Sequence, residues 1–189
     1  MLFRSLTSVH SKLMNDFLPA IYLSFLVALL AGTAIFIVRQ ILRTRKTESR
    51  LSQLQNKLKK EKGTAQEYYE LGTLYLDKKL YVQATKLFQK ALSTKEEVEP
   101  ENRALVYNAL GFTHFAQEQY DLAVRQYKEA LNLNPEYVKA LNNLGHVYER
   151  KQLVAPALEA YEQSLQYEPN NATAKRRAEA LRKRSVTSS

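Results

Sequence analysis

The segment "NALGFTHFAQEQYDLAVRQYKEALNLNP", residues 108–135, contains apolar side chains at helical spacing in each of its two halves. Offsets of three, four and seven residues place side chains on one face of an α-helix. Proline cannot continue a helix, and one stands at the end of the segment. The segment therefore predicts two helices joined by a short turn. The residues that carry the pattern are Leu110, Gly111, His114, Tyr120, Ala123, Tyr127, Ala130 and Pro135.

The same pattern occurs three times along the chain. "NALGFTHFAQEQY" recurs as "NNLGHVYERKQLV" 34 residues later, and "YELGTLYLDKKLY" precedes it by 39 residues. Glycine inside a helix costs about 1 kcal/mol relative to alanine, so glycines at equivalent positions need a packing reason. We expect a partner helix to approach each glycine where a small side chain faces it, with tyrosine and phenylalanine side chains filling the space on either side. The expected packing pairs are Gly72 with Ala84, Gly111 with Ala123, and Gly145 with Ala157.

The aligned copies resemble the tetratricopeptide repeat, which has a 34-residue period and a helix-turn-helix unit. The resemblance implies an α-solenoid of three helix pairs with a C-terminal capping helix. Together with an N-terminal transmembrane helix, for which the apolar run at residues 17–38 is the evidence, this predicts an all-α fold. Between the first two copies, "STKEEVEPENR" predicts a longer, mobile connection. Helices are expected near residues 65–78, 81–93, 103–117, 120–132, 137–151, 154–166 and 171–184. The repeats are expected at 64–98, 104–137 and 138–171, followed by a basic capping helix and tail at 172–189.

A membrane anchor is predicted at residues 17–38, after a short tail at 1–16. The 22-residue run "FLPAIYLSFLVALLAGTAIFIV" carries no charge and as a helix spans about 33 Å, enough to cross a bilayer. A cleaved signal sequence is the alternative, but its apolar region is shorter. The first 14 residues resemble organelle-targeting segments in composition, which leaves the start of the mature protein open. Basic residues directly after the run are expected to keep the repeats on the side of synthesis; they are Arg39, Arg43, Arg45 and Lys46.

Residues 39–63 form a basic juxtamembrane linker with nine basic and two acidic side chains up to residue 62. Leu51, Leu54 and Leu58 make a narrow apolar stripe on this predicted helix. Two interpretations are open: contact with anionic lipid headgroups, worth about 1 kcal/mol per basic residue, or a solvated spacer helix. We expect lipid contact for Arg39–Lys46 and a spacer for Lys57–Lys62. Nucleic-acid binding is disfavoured because no aromatic platform accompanies the charge.

The composition provides no catalytic set. The chain has no cysteine, which excludes disulfides and cysteine-based metal sites. His10, His114 and His146 do not stand at metal-ligand spacing, and the five glycines form no phosphate-binding loop. We therefore expect a protein that is not an enzyme, with no cofactor, no metal and no small-molecule substrate. His114 is expected to be buried and hydrogen-bonded.

In tetratricopeptide proteins the first helices of successive repeats line a concave groove, and the resemblance implies a partner-binding groove here. Exposed aromatic side chains would anchor a peptide, and Asn108 and Asn142 would hydrogen-bond its backbone. The alternative for the two phenylalanines is packing between repeats. The carboxylate clamp for chaperone tails is disfavoured, because only Lys139 matches its pattern. The expected groove residues are Tyr69, Thr73, Leu76, Asn108, Phe112, Phe115, Lys139, Asn142, His146 and Arg150.

The whole layout, from anchor to the terminal "AKRRAEALRKR", resembles the small tetratricopeptide photosystem I assembly proteins of cyanobacteria and red-algal plastids. That resemblance implies a single-pass protein of the thylakoid membrane, with its repeats in the stroma or cytoplasm. It implies photosystem I subunits or other assembly factors as partners. Two alternatives share the layout: an import or fission receptor of another organelle, and a chaperone partner in a bacterial envelope.

Overall fold

The computed structural model describes the backbone of residues 2–187 and the side chains of residues 19–184. All regular structure in that part of the chain is α-helical, as predicted. The chain divides into two compact units, Met1–Arg50 and Leu51–Ser189. The helices are α1 (Leu2–Lys60), α2 (Ala65–Asp77), α3 (Tyr81–Leu92), α4 (Pro100–Ala116), α5 (Tyr120–Leu133), α6 (Val138–Arg150), α7 (Val154–Tyr167) and α8 (Ala172–Thr187).

Helix α1 is continuous through the segments for which the sequence predicts a tail, an anchor and a linker. Its described part, Pro19–Lys60, contains a stretch long and apolar enough to cross a membrane. Large apolar side chains between Ile21 and Leu42 are 48–70% exposed. Burial in hydrocarbon would remove this surface from water. The side chains of residues 1–16, including His10, lie outside the described residues.

Helix α4 begins three residues earlier than expected. Pro100 occupies its first turn, where a missing N–H group removes no hydrogen bond and the fixed φ suits the helix. The connection is nevertheless longer than the others between repeats, as predicted, because residues 93–99 separate α3 from α4 whereas only residues 134–137 and 168–171 separate the later pairs. Glu96 in this connection accepts a hydrogen bond from the backbone N–H of Ala65 at 2.9 Å. This bond ties the connection to the start of α2.

Each repeat glycine packs against an aromatic ring, and the ring rather than the predicted alanine supplies the atoms nearest to the glycine. The observed pairs are Gly72 with Phe88, Gly111 with Tyr127, and Gly145 with Tyr161, and an added Cβ would come within 2.6, 2.8 and 2.8 Å of the respective ring. A helical side chain leans toward the N-terminus of its own helix, so the residue one turn after the alanine covers the glycine. The alanines predicted to face the glycines are fully buried in the same core clusters as these rings; they are Ala84, Ala123 and Ala157.

The C-terminal turns of α1 pack on the first repeat and are not a solvated spacer. Leu51 and Leu54 are buried in a cluster with Leu71 and Leu87. Gln55 donates a hydrogen bond to the hydroxyl of Tyr75 at 2.7 Å. Lys57 pairs with Glu67 at 2.5 Å, which corrects the spacer prediction for Lys57. The leucine stripe is thus the apolar face of an N-terminal cap on the solenoid.

Helix α8 closes the other end of the second unit, as predicted for a capping helix. Ala174, Ala178 and Leu181 are buried in a cluster with two residues of α7. Arg177 pairs with Glu149 of α6 at 3.3 Å. The opposite face of α8 is polar and exposed. This is the arrangement that a terminal repeat needs in order to remain soluble.

Candidate partner-binding groove

The first helices of the three repeats, α2, α4 and α6, carry the predicted groove residues on related positions. These positions are six and three residues before the repeat glycine and one, four and five residues after it. We call the side chains at these positions, together with those at the equivalent positions of α8, the groove face. Phe112 is 44% exposed, and Lys139 and Arg150 are exposed as well. The half-buried members are Tyr69, Thr73, Leu76, Phe115, Asn142 and His146. The groove face therefore presents one large aromatic side chain and two cations to solvent.

Asn108 does not belong to the accessible part of the groove face. Its side chain is only 6% exposed, and its Oδ1 accepts a hydrogen bond from Nδ2 of Asn143 at 2.9 Å. The two residues join α4 to α6 across 35 positions of sequence. Asn108 consequently holds two repeats together and does not present its amide to a peptide backbone, contrary to the prediction.

Phe115 also links repeats. Its ring centroid lies 4.9 Å from that of His146 and 5.8 Å from that of Tyr120. Arg150 donates a hydrogen bond to the Tyr120 hydroxyl at 3.2 Å, and its guanidinium lies 5.9 Å from the centre of that ring. These contacts correspond to the alternative prediction for Phe115, which was packing between repeats. Phe112 has no such ring partner among the described contacts and remains on the surface.

One exposed residue of the groove face escaped the sequence interpretation. Leu105 is 38% exposed and lines a small apolar slot between α2 and α4 with Tyr69 and Val98. It stands six residues before Gly111, as Lys139 stands six residues before the next repeat glycine. Applying the register of Lys139 to the second repeat would have found it.

A polar cleft of about 520 Å³ lies at the start of α6, where the α5–α6 and α7–α8 connections meet the helix. Lys139, Asn142 and Asn143 contribute to it from α6. Oδ1 of Asn142 is buried and has no hydrogen-bond partner in the protein. An unsatisfied buried acceptor is unfavourable by about 1–3 kcal/mol, so a donor supplied by a bound peptide would relieve it. Asn142 is half-buried and lines this cleft, so of the two predicted amides it is the one that stays partly accessible.

The electrostatic environment of α6 on this face is positive. Burial lowers the pKa of His146 below its ordinary value, and the nearby guanidinium of Arg177 lowers it further. Glu149 opposes the shift, but its carboxylate already accepts hydrogen bonds from the Tyr161 hydroxyl at 2.6 Å and from Arg177. A neutral imidazole next to cations is the expected state near pH 7.

His114, which the sequence assigns to packing, is 7% exposed, and its Nδ1 lies 2.7 Å from the side-chain oxygen of Gln119. The described residues contain no group of three or more carboxylates and histidines that could hold a metal ion. At the other end of the chain, the predicted membrane-edge residues Arg39, Arg43, Arg45 and Lys46 are all exposed on α1. Their contact with lipid remains a prediction.

Comparison with known proteins assigns the family. Profiles described as "TPR repeat" and "Tetratricopeptide repeat" match residues 111–152 and 138–171. The "Uncharacterized protein ycf37" of Cyanophora paradoxa is 36% identical over 164 residues, which cover 87% of this chain and 95% of the relative. The chloroplastic protein PYG7 of Arabidopsis thaliana, a tetratricopeptide repeat domain-containing protein, is also 36% identical over 163 residues, but the match covers 86% of this chain and only 54% of PYG7.

Two more distant matches agree with this assignment. The photosystem I assembly protein Ycf3 of Rippkaea orientalis is 26% identical over 105 residues, covering 48% of this chain and 60% of Ycf3. The crystal structure of MamA superposes with a TM-score of 0.68 at 23% identity, over 76% of this chain and 82% of MamA, which supports the fold alone. The resemblance to small photosystem I assembly proteins drawn from the sequence is confirmed: this chain belongs to the ycf37 family of tetratricopeptide repeat proteins.

Proposed function

We propose that this protein is a non-catalytic, membrane-anchored scaffold that assists the assembly or stabilisation of photosystem I by holding a partner protein on its groove face. The observation that carries the proposal is the exposed Phe112 on α4, together with Lys139, Asn142 and Arg150 at groove-face positions of the next first helix, α6. The similarity to the chloroplastic protein PYG7 supports a plastid location, and the similarity to the photosystem I assembly protein Ycf3 supports a role in photosystem I assembly.

The chemistry of the groove face suits a peptide segment. Burying a phenylalanine side chain is favourable by about 1.5–3 kcal/mol, and aromatic residues are common anchors at protein interfaces. Asn142 offers an unpaired acceptor to a backbone N–H. An apolar anchor combined with a backbone hydrogen bond recognises an extended or helical segment of a protein.

The anchor would confine this surface to the membrane in which the photosystem is assembled. In this proposal residues 17–38 span the thylakoid membrane of a plastid or cyanobacterium, and the three repeats at 64–98, 104–137 and 138–171 lie in the stroma or cytoplasm. Arg39–Lys46 would contact anionic headgroups at the membrane edge. Confinement raises the effective concentration of a membrane-bound partner, so weak and reversible binding to the groove face is sufficient to hold that partner.

Affinity purification from detergent-solubilised thylakoid membranes tests the proposal. The double variant Phe112→Ala/Asn142→Ala removes the aromatic anchor and the free acceptor. Val82→Ala is the matched control, because Val82 is 59% exposed on α3, which is a second helix of its repeat and outside the groove face. We expect photosystem I subunits or assembly factors to be recovered with the wild type and the control but not with the double variant.

Undiminished recovery with the double variant, while its helical circular dichroism stays unchanged, would contradict the groove. Cell fractionation tests the compartment independently. Enrichment in an outer envelope membrane would favour the receptor of another organelle, and protease accessibility of the repeats from the lumenal side would contradict the orientation.

A further inference from the structure

The three repeats have different side chains at the same positions of the groove face, and the change has a direction. On α4 the positions six before, one after and five after the repeat glycine hold Leu105, Phe112 and Ala116. On α6 the same positions hold Lys139, His146 and Arg150. Three apolar side chains are thus replaced by two cations and an imidazole between neighbouring helices.

The basic character continues onto the capping helix. Residues 172–184 of α8 stand 34 positions after the residues of α6, so Arg176 takes the place of Asn142 and Arg184 the place of Arg150. Arg176 is exposed. On the other side, α2 holds Gln66, Thr73 and Asp77 at the positions of Leu105, Phe112 and Ala116. At these three positions the groove face therefore changes from polar and acidic on α2 to apolar on α4 and to basic on α6, while α8 holds Thr173, Ala180 and Arg184 there and adds Arg176.

Two acidic groups near the basic end are paired with cations within the protein. Glu149 accepts hydrogen bonds from Tyr161 and Arg177, and Glu162 of α7 pairs with Arg182 at 2.6 Å. Glu136 and Glu168 line the polar cleft together with Lys139, and Glu168 accepts a hydrogen bond from the neutral amide of Asn171. The exposed side chains of Lys139 and Arg176 form no ion pair with the residues that the structure describes.

From this gradient we infer that the partner segment is amphipathic and acidic, with an apolar side chain opposite α4 and carboxylates opposite α6 and α8; the inference rests on the proposed function of the groove face. Neighbouring packed helices lie about 10 Å apart, and an extended chain advances about 3.3 Å per residue. The apolar residue and the two carboxylates should therefore be spaced by about three residues each. Charge complementarity of this kind selects a partner and its direction in the groove.

Synthetic nonapeptides test the inference on the full-length protein in detergent. The probe carries a leucine and two glutamates at intervals of three residues on a glycine-serine background, with a fluorescein label, and is made in both sequence orders. The control probe has lysines in place of the glutamates. Fluorescence anisotropy should show binding of one order of the acidic probe, with affinity falling as salt rises, and at least tenfold weaker binding of the lysine probe.

Charge-reversed variants assign the effect to the groove. Lys139→Glu/Arg176→Glu should weaken the acidic probe about tenfold. Lys86→Glu/Lys128→Glu makes the same change of net charge on exposed positions of α3 and α5 and should leave the affinity unchanged. Equal affinity for the acidic and lysine probes, insensitivity to the groove reversal, or no binding of either acidic order would overturn the inference.

The outcome for the inference is separable from that for the proposed function. If Lys139→Glu/Arg176→Glu still recovers its partner from membranes while Phe112→Ala/Asn142→Ala does not, the partner binds the groove face but the inferred preference for an acidic segment is wrong. If neither variant loses the partner, the groove itself fails.

Discussion

Replacing Gly111 by alanine tests how the helices of a repeat are held together. Alanine is the better helix former by about 1 kcal/mol, so on propensity alone the variant should be more stable. The added Cβ would lie 2.8 Å from one carbon of the Tyr127 ring and 2.9 Å from another. Tyr127 is 1% exposed, so its ring is enclosed by the core and can shift only if its neighbours shift as well.

Overpacking of this kind destabilises proteins by about 1–3 kcal/mol. After the gain in helix propensity is subtracted, we expect Gly111→Ala to destabilise the second unit by about 1 kcal/mol. For a unit of this size that lowers the melting temperature by about 3 °C. The assay is urea and thermal unfolding of a fragment of residues 47–189, followed by far-ultraviolet circular dichroism.

A second background separates the two effects. In a Tyr127→Leu protein the ring is gone, so Gly111→Ala should stabilise by up to about 1 kcal/mol instead. The sign of the alanine effect thus depends on the residue at position 127. Stabilisation by Gly111→Ala in the wild-type background, or the same effect in both backgrounds, would refute the packing of the ring on the glycine.

Three further predictions concern the same fragment. Leu54→Ala should reduce the free energy of unfolding by about 2–5 kcal/mol in urea, because Leu54 is 1% exposed in the N-terminal cap. Lys59→Ala, on the exposed face of α1, should have little effect, and equal effects of the two substitutions would indicate that this part of α1 is a solvated spacer. The free energy of unfolding should fall as the pH drops below about 6.5, because the pKa of His146 is lower in the folded protein than in the unfolded chain, which therefore binds the proton at a higher pH. This pH dependence should diminish in His146→Gln, and an unchanged pH profile in that variant would contradict the lowered pKa. Lys79→Gly should raise the melting temperature, because Lys79 has a φ of 59°, in the left-handed region that glycine adopts without strain. Lys78→Gly should not raise it, because Lys78 has a φ of −82°; a rise with both substitutions would contradict relief of backbone strain as the cause.

Local pattern was sufficient to predict the helices of the repeats. The three glycines align with apolar residues at helical spacing, and this periodicity depends only on neighbours along one helix. Pro100 was assigned to a loop because proline both ends helices and begins them, and the sequence around it does not distinguish the two cases.

Contacts between helices were harder to predict. The leucine stripe at residues 51–58 was visible, but its partners Leu71 and Leu87 lie on helices whose buried faces cannot be separated by period alone. The hydrogen bond from Asn143 to Asn108 joins residues 35 positions apart, and it turns an expected groove residue into a buried one. The glycine-to-ring contact depends on the lean of helical side chains, which spacing alone does not express.

The central claim is that the groove face holds a partner during photosystem I assembly, and site-specific photo-crosslinking in native membranes tests it most directly. A photoreactive amino acid is placed at Phe112 on the groove face or at Val82 on α3, and the adducts are identified by mass spectrometry. The account predicts an adduct with a photosystem I subunit or assembly factor from position 112 and none from position 82. Adducts from position 82 alone, or only partners unrelated to photosystem I from position 112, would contradict it.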